Sequence, residues 1–341
     1  LRFLALLLVA ALAGRASAAE PVTLRIVGGL GGVAQYEQLE APFWRDRLPA
    51  LTNGALRAEI APFDRSGLRA QEMVRLIRLG VVPFGTFLAG VSAADDPVLG
   101  VLEMPLAYPS AAALRQVAER LRPELSAHLR ERHGIELLAI YAYPAQVAWC
   151  RDAFTGLDDL RGRRVRVAAV GQLELFAALG AAPVLLPFAE TTAAVRSGSV
   201  ACAVTGTLSG YQIGLAQATR FVSSVPITWG VSFFAANARA WGALEPALQR
   251  AIRGGLAEVE AAVWNAADTE TANGLACATG RGSCPAGAPA NLSLVPGDFA
   301  NERARRALTE ALLPAWFDRC GDPCRTLWSE ARVAMPEPAR P

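Results

Sequence analysis

The sequence contains no lysine; all 33 of its Lys-plus-Arg residues are arginine. A Schiff-base lysine, a phosphate-loop lysine and a lysine-bearing catalytic dyad are therefore excluded. Histidine is almost as scarce, with His128 and His133 alone. A histidine-rich metal centre has little material, and no metal site is expected. A nucleophile–histidine pairing has only these two candidates for its base, both at the end of a predicted surface helix. No basic block interleaved with aromatics occurs, and the formal charge is only +2, so nucleic acid is not an expected partner. Beyond residue 19, no apolar run reaches 18 residues without a charge or turn signal, which argues against stable membrane insertion of the mature chain. Carboxylate pairs for acid–base chemistry are missing too. Asp95-Asp96 and Asp158-Asp159 sit in predicted turns, where aspartate suits the local backbone.

The N-terminal stretch does have an apolar run, but a short one. Arg2 precedes Phe3–Ala13, and Ala16-Ser17-Ala18 follows with the small-x-small pattern of an export cleavage site. Residues 1–19 are read as a signal peptide cut near residue 18 or 19. Cleavage after Ala18 removes Arg2 and Arg15 and leaves 31 basic residues against 31 acidic. Six cysteines fit an oxidising compartment: Cys150, Cys202, Cys277, Cys284, Cys320 and Cys324. Short loops close easily, which favours Cys277–Cys284 and Cys320–Cys324. Cys150 and Cys202 either pair or remain buried thiols. The late cysteines lack the two-residue spacing of a zinc finger.

About 320 residues remain after cleavage, enough for two domains. Val22–Val27 alternates and reads as a strand. A glycine-rich loop follows, then a helix over 34–48, a strand over 56–60, a helix over 68–79 and a strand over 81–87. A long helix over 111–132 precedes a strand over 135–141. A second cycle places strands at 164–168, 184–186, 200–205, 221–225 and 231–235, with helices at 172–179 and 190–196. This alternation predicts α/β layers with a largely parallel sheet. The halves share a pattern: Glu72, Arg78, Gly80 and Val82 match Glu190, Arg196, Gly198 and Val200 at identical offsets. In each, glycine suits a left-handed helix cap. Two similarly built lobes imply a cleft, where small ligands bind. A long helical region over 241–273, kinked near Pro246 and Gly254-Gly255, would pack across both lobes.

Three motifs could carry chemistry. Gly29-x-Gly31-x-x-Ala34 loosely matches a dinucleotide fingerprint, but no acidic residue closes the second strand, so no cofactor is expected. A tight turn whose N–H groups face the cleft, Gly29 among them, is the better reading. Thr205 to Tyr211 follows a strand, so the hydroxyls of Thr205 and Ser209 could line a cleft. It is no hydrolase elbow, because serine falls one place late. The sharpest feature is Arg161, Arg163, Arg164 and Arg166. If Val165 and Val167 face a core, Arg164 and Arg166 share the opposite face. A guanidinium there presents the planar fork that matches a carboxylate. The competing reading is a solvated basic rim, or ion pairs to Asp158 or Glu174.

At this point the chain resembles the DctP-like solute-binding proteins of tripartite ATP-independent periplasmic (TRAP) transporters. The resemblance rests on VTLRIVG, on GGVAQ through LTNGALRAEIAPF, on VLEMPLAYP, on SSVPITWGVSFFAA and on a long central run. In that run, Leu160-Arg161-Gly162 and Arg166 are followed by Ala178-Leu179-Gly180-Ala181, Pro183 and Phe188-Ala189-Glu190. The resemblance implies a non-enzymatic, two-lobed periplasmic binding protein of α/β class, a type II-like flytrap with a long lobe-spanning helix and a helical C-terminal region. Residues 20–142 plus about 233–275 would form one lobe, and 143–232 plus about 276–341 the other. It further implies capture of an organic carboxylate and delivery to TRAP membrane permease subunits. The family's carboxylate-binding arginine falls on Arg166, and Glu190 joins the expected site. A second family arginine falls near Gln146, and the family's aspartate-glycine and asparagine are replaced by Ala201-Cys202 and Thr205. These departures point away from C4-dicarboxylates and sialic acids. With Trp149, Tyr211 and Trp229 as apolar surroundings, they favour a monocarboxylate with an apolar part. The alternatives are a binding protein serving a sensor or another transporter class and, further off, an exported α/β hydrolase.

Overall fold

A computed structural model describes residues 20–296 and 302–335. The expected export signal at 1–19 lies outside the described residues. In the first half, β1 (Val22–Gly28), β2 (Leu56–Pro62) and β3 (Phe84–Leu88) pair in parallel, with β1 between the other two. Leu24 and Ile26 of β1 are buried while Thr23 and Arg25 are exposed, the period of two that puts one face of a strand on a core. The helix expected over 34–48 is present and unbroken from 34 to 51, but much of it is π-helical: Gln35–Glu40 and Phe43–Arg47 are joined through Ala41-Pro42 and run into α1 (Leu48–Leu51). After α2 (Met73–Arg78) and α3 (Ala89–Ser92), a 3₁₀ turn Pro97–Glu103 leads towards α4 (Ala111–His133). Ser110 caps α4 by accepting from the Ala113 N–H, and Gly134 ends it in the left-handed region at φ 62°.

β4 (Ile135–Cys150) then runs through the middle of the molecule with every residue buried. The second half contains β5 (Arg164–Val167), α5 (Val170–Ala178), β6 (Ala182–Leu185), α6 (Thr191–Arg196), β7 (Cys202–Gly206), α7 (Thr207–Gln212) and β8 (Phe221–Ser223). β9 (Thr228–Asn237) returns antiparallel to β4, followed by α8 (Ala238–Gly242), α9 (Pro246–Thr279), β10 (Ser293–Val295), α10 (Glu302–Cys320) and α11 (Asp322–Ala334). The sheet order is β2-β1-β3-β9-β4-β7-β5-β6, with β8 on β4 and β10 on β8. Two parallel sets thus meet at the antiparallel β4–β9 pair. Its register slips between Ala142 and Ala145, where one set gives way to the other. There are two hydrophobic clusters. The larger contains Phe43, Trp44, Leu114 and Phe233, and the smaller Cys150, Leu160, Val165, Phe176 and Val204. The molecule is a two-lobed α/β fold.

The shared motif folds the same way twice. A 3₁₀ turn, a six-residue helix, a left-handed glycine and a strand occur as Ala70–Glu72, α2, Gly80 and β3. They recur as Phe188–Glu190, α6, Gly198 and β7. Even the capping bonds correspond: Gly80 N–H to Ile77 O at 2.9 Å and Gly198 N–H to Val195 O at 3.1 Å.

α9 begins at Pro246, in the first turn where proline's missing N–H costs nothing. The helix runs unbroken through Gly254-Gly255, from Pro246 to Thr279. Gly255 abuts the Phe43 ring, and Gly274 abuts the backbone of Thr207 and Leu208. Without side chains at these two places, α9 can lie against both halves. The described parts of 276–341 touch both halves. β10 extends the second half through β8, whereas α11 packs on α4 of the first. All six cysteines are paired, as Cys277–Cys284, Cys320–Cys324 and Cys150–Cys202. The last pair joins directly opposed residues of β4 and β7. Among the described residues, no helix is long and apolar enough to cross a membrane.

Candidate functional site

A cavity of ≈ 320 Å³ opens between the two halves. Its wall is mostly apolar, with Phe63, Leu68 and Leu88 from the first half and Leu185, Leu186 and Phe188 from the second. Arg166 projects into this wall from β5. Val165 and Val167, on the other face of the strand, are fully buried in the smaller core, as alternation predicts. Arg164 remains exposed at the rim, while Arg166 is 1% exposed. Arg166 Nε donates to Leu186 O at 3.1 Å and Nη1 to Val204 O at 2.7 Å. Among the described residues, Nη2 has no protein partner and no carboxylate lies within ion-pair distance. Glu174, one alternative partner, pairs with Arg319 at 3.0 Å. Burial alone lowers the Arg166 guanidinium, to about 10. It stays charged at neutral pH without an internal counter-ion.

Thr205, Ser209 and Gln146 line the same cavity and are buried. β7 carries Thr205, and the first turn of α7 carries Ser209. Gln146 follows the register slip of β4, with its Nε2 donating to Pro144 O at 3.2 Å. Four side chains singled out from sequence are therefore together.

The other five lie outside the cavity wall. Trp149 is three residues from Gln146 on one strand, so it points to the opposite face and packs behind α7 at Gly210. Trp229 turns away likewise, and its indole N–H donates to Tyr108 O at 3.0 Å. Tyr211, two positions past Ser209 on a helix, bonds Ala288 O with its hydroxyl. Glu190 is exposed, although its neighbours Phe188 and Ala189 line the cavity. Gly29 does not offer its amide to the cleft, because that N–H donates to Glu40 Oε2 at 2.8 Å. Gly31 and Gly32 donate to Asp64 and Glu37, so the loop's donors are engaged by the protein's own carboxylates.

Glu103 was not singled out from sequence. It is the last residue of the Pro97–Glu103 turn, 7% exposed, and lines the cavity. Burial pushes its carboxyl up to about 7, against hydrogen bonds from the Val231 and Gly90 amides. Its only signal is a lone charge inside the apolar run Val101-Leu-Glu-Met-Pro105.

The two histidines meet elsewhere. His128 and His133, at the end of α4, place Nε2 at 2.6 Å and 2.7 Å from Asp96 Oδ2. Those three ligand atoms lie within 4.8 Å of one another, close enough to hold a metal ion. However, Arg132 Nε stands 3.7 Å from the same oxygen and opposes a second cation. The cluster ties the end of α4 to the turn after α3.

The family model for bacterial extracellular solute-binding proteins, family 7 (DctP), matches residues 33–279. A solute-binding protein of Roseobacter denitrificans is 26% identical over 195 residues, 56% of this chain and 59% of that relative. The match therefore spans less than two thirds of the relative's length. The fold is similar to a Bordetella pertussis extracytoplasmic solute receptor binding pyroglutamic acid, with a TM-score of 0.81 and 20% identity over 91% of this chain and 99% of that one. It is also similar to a TRAP periplasmic solute-binding protein from Desulfovibrio salexigens with bound orotic acid, with a TM-score of 0.81 and 17% identity over 92% and 98%. With most of its length matched by the family model, the chain belongs to the DctP family, family 7 of the bacterial extracellular solute-binding proteins.

Proposed function

We propose that this protein captures a small organic carboxylate and hands it to the membrane subunits of a TRAP transporter. The supporting observation is Arg166: a buried guanidinium in an apolar cavity wall, with one donor edge unused and, among the described residues, no carboxylate within ion-pair distance. An uncompensated buried charge is costly. A ligand carboxylate accepting from Nη2 would supply the missing counter-charge, and the Thr205 and Ser209 hydroxyls and the Gln146 amide offer further donors.

The same wall favours one carboxylate and an apolar body. A second carboxylate would call for a second cation. Arg69, the other arginine on the cavity, is largely exposed and pairs with Glu72 at 2.6 Å. The apolar contacts come from Phe63, Phe188 and aliphatic side chains, not from the tryptophans. Pyroglutamic and orotic acid, bound by two structural relatives, are compact ring acids with one carboxylate.

The lobes, 20–142 with about 233–275 and 143–232 with part of the C-terminal region, would hinge where β4 slips register at 142–145 and at the adjoining β9. Closure shifts a pre-existing balance towards the state with more ligand contacts. Export would precede this, with cleavage near residue 18 or 19. The test starts from natively purified protein: any released solute is identified by mass spectrometry and titrated back by calorimetry beside its methyl ester. An acid is expected, with the ester at least a hundredfold weaker. A neutral solute, or an ester that binds as well as the acid, would overturn the reading.

A further inference from the structure

We infer that Glu103 reads the far side of the ligand: the acid taken by this cavity carries an N–H or O–H donor, apart from its carboxylate, which Glu103 Oε2 accepts. This rests on the reading of Arg166 given above.

The side chain has hydrogen-bonding capacity that the fold does not use. Glu103 Oε1 accepts from two backbone amides, Gly90 at 3.1 Å and Val231 at 2.9 Å. Those amides come from α3 and β9, so one oxygen alone holds two elements in place. Oε2 accepts nothing from the described residues, although a carboxylate oxygen can accept two bonds. The residue is 7% exposed and lies on the cavity wall. Space for it is provided at Gly90, where any Cβ would fall on Oε2 and crowd Ala169.

The charges agree with a two-point site. Among the described residues Arg166 and Glu103 form no ion pair: the guanidinium donates to two carbonyls and the carboxylate accepts from two amides. The two groups therefore do not neutralise each other across the cavity. The same cavity wall thus carries an unused donor edge at Arg166 and an unused acceptor at Glu103. A closed lobe pair around an acid with no donor would leave Oε2 desolvated and unpaired, and sites built to hydrogen-bond a ligand group discriminate sharply against analogues lacking it. The amide bonds to Oε1 by themselves would give Glu103 a purely architectural role. Glu103→Gln separates the two roles, because its carbonyl oxygen still accepts both amides while its NH₂ replaces the free acceptor with a donor.

The experiment is calorimetry on the wild type, Glu103→Gln and Arg166→Ala with three matched pairs of acids. These are pyroglutamate and N-methylpyroglutamate, mandelate and O-methylmandelate, and 4-hydroxybenzoate and 4-methoxybenzoate. The best-binding pair should show at least a tenfold preference for the donor-bearing member in the wild type. That preference should shrink to within threefold in Glu103→Gln, while Arg166→Ala weakens both members alike. Equal binding of the two members by the wild type overturns the inference. So does a preference that survives in Glu103→Gln, since steric exclusion of the methyl group would persist there. If Arg166→Ala changes nothing while Glu103→Gln abolishes the preference, the carboxylate reading fails and the role of Glu103 stands. Binding of none of the six acids retires both. Should Glu103→Gln fail to fold, the wild type decides with analogues that lose the donor without gaining bulk, phenylacetate against mandelate and benzoate against 4-hydroxybenzoate: at least tenfold weaker binding of the donor-free acid supports the inference, and binding within threefold overturns it.

Discussion

Arg166 in the second half and Glu40 in the first are both sealed from solvent, at 1% and 0% exposure. Burial moves both towards neutrality, Arg166 down to about 10 and Glu40 up to about 7. Their hydrogen bonds separate them. Glu40 uses both oxygens, accepting from Gly29 N–H at 2.8 Å and from the Thr86 hydroxyl at 2.7 Å, and it lies off the cavity. Arg166 donates to two carbonyls and keeps Nη2 unused at the cavity wall. A perturbed ionisation therefore does not mark the site here; unused bonding capacity beside a cavity does. The strongest way to break this contrast is Arg166→Ala. Its acid ligand should lose about 2–5 kcal/mol of affinity by calorimetry, while the unliganded protein unfolds at nearly the same temperature, because the lost bonds to Leu186 O and Val204 O are offset by removal of an uncompensated buried charge. A loss below threefold would place Arg166 with Glu40 as an internal strut.

Glu40→Ala should do the reverse. It leaves the Gly29 amide and the Thr86 hydroxyl without an acceptor in the interior, at about 1–3 kcal/mol for each unsatisfied group. Denaturant unfolding should show the loss, with ligand affinity unchanged within about threefold. An affinity loss as large as that of Arg166→Ala would show that the glycine loop takes part in binding after all.

Acid titration gives a smaller, signed effect. Glu40 and Glu103 both titrate near 7 when folded, above the 4.5 of the unfolded chain. Between those values the folded state binds more protons, so stability falls as pH rises through that window and is recovered on acidification. Asp96 acts oppositely. Burial works to raise it, but the hydrogen bonds from His128 and His133 prevail and hold it well below the usual carboxylate range. Its contribution is present above the unfolded pKa near 3.8 and is lost as pH falls below it. The unfolding temperature should therefore rise from pH 8 to about 5 and drop below about 4. Burial pushes Glu270 up to about 7 as well, so in Glu40→Gln the rise should shrink by about a third. A curve that climbs steadily from pH 5 to 8 would contradict the burial of both glutamates.

Much of the architecture was legible because local rules act one residue at a time. Glycine after a helix gave the two matching caps at Gly80 and Gly198, and alternation set Arg166 against Val165 and Val167. Applied one strand earlier, the same alternation would have taken Trp149 off the face that carries Gln146. Other features depend on where distant segments arrive. The acceptors of the glycine-loop amides are Glu37, Glu40 and Asp64, up to 33 positions away, and no local pattern announces them. Glu103 gains its meaning only once Gly90 and Val231 are brought to it. The packing of α11 on α4 is equally non-local.

Trp149 offers the finest test of the contrast between Arg166 and Glu40, because it has an unused donor but no cavity. Its indole N–H has no hydrogen-bond partner, its side chain is fully buried, and it packs behind α7 on the far side from the bound solute's expected place. If unused capacity alone sufficed, this residue would matter to binding. If the cavity is also required, Trp149→Phe should leave affinity within about twofold. Stability should change by no more than about 1 kcal/mol, since the cost of lost volume is offset by removing an unsatisfied donor. Trp149→Ala goes further by removing the support under Gly210, one residue from Ser209. A larger affinity loss in that variant alone would show Trp149 acting through the position of α7. An equal loss in both would mean that the indole N–H itself serves the ligand, and the requirement for a cavity would have to be given up.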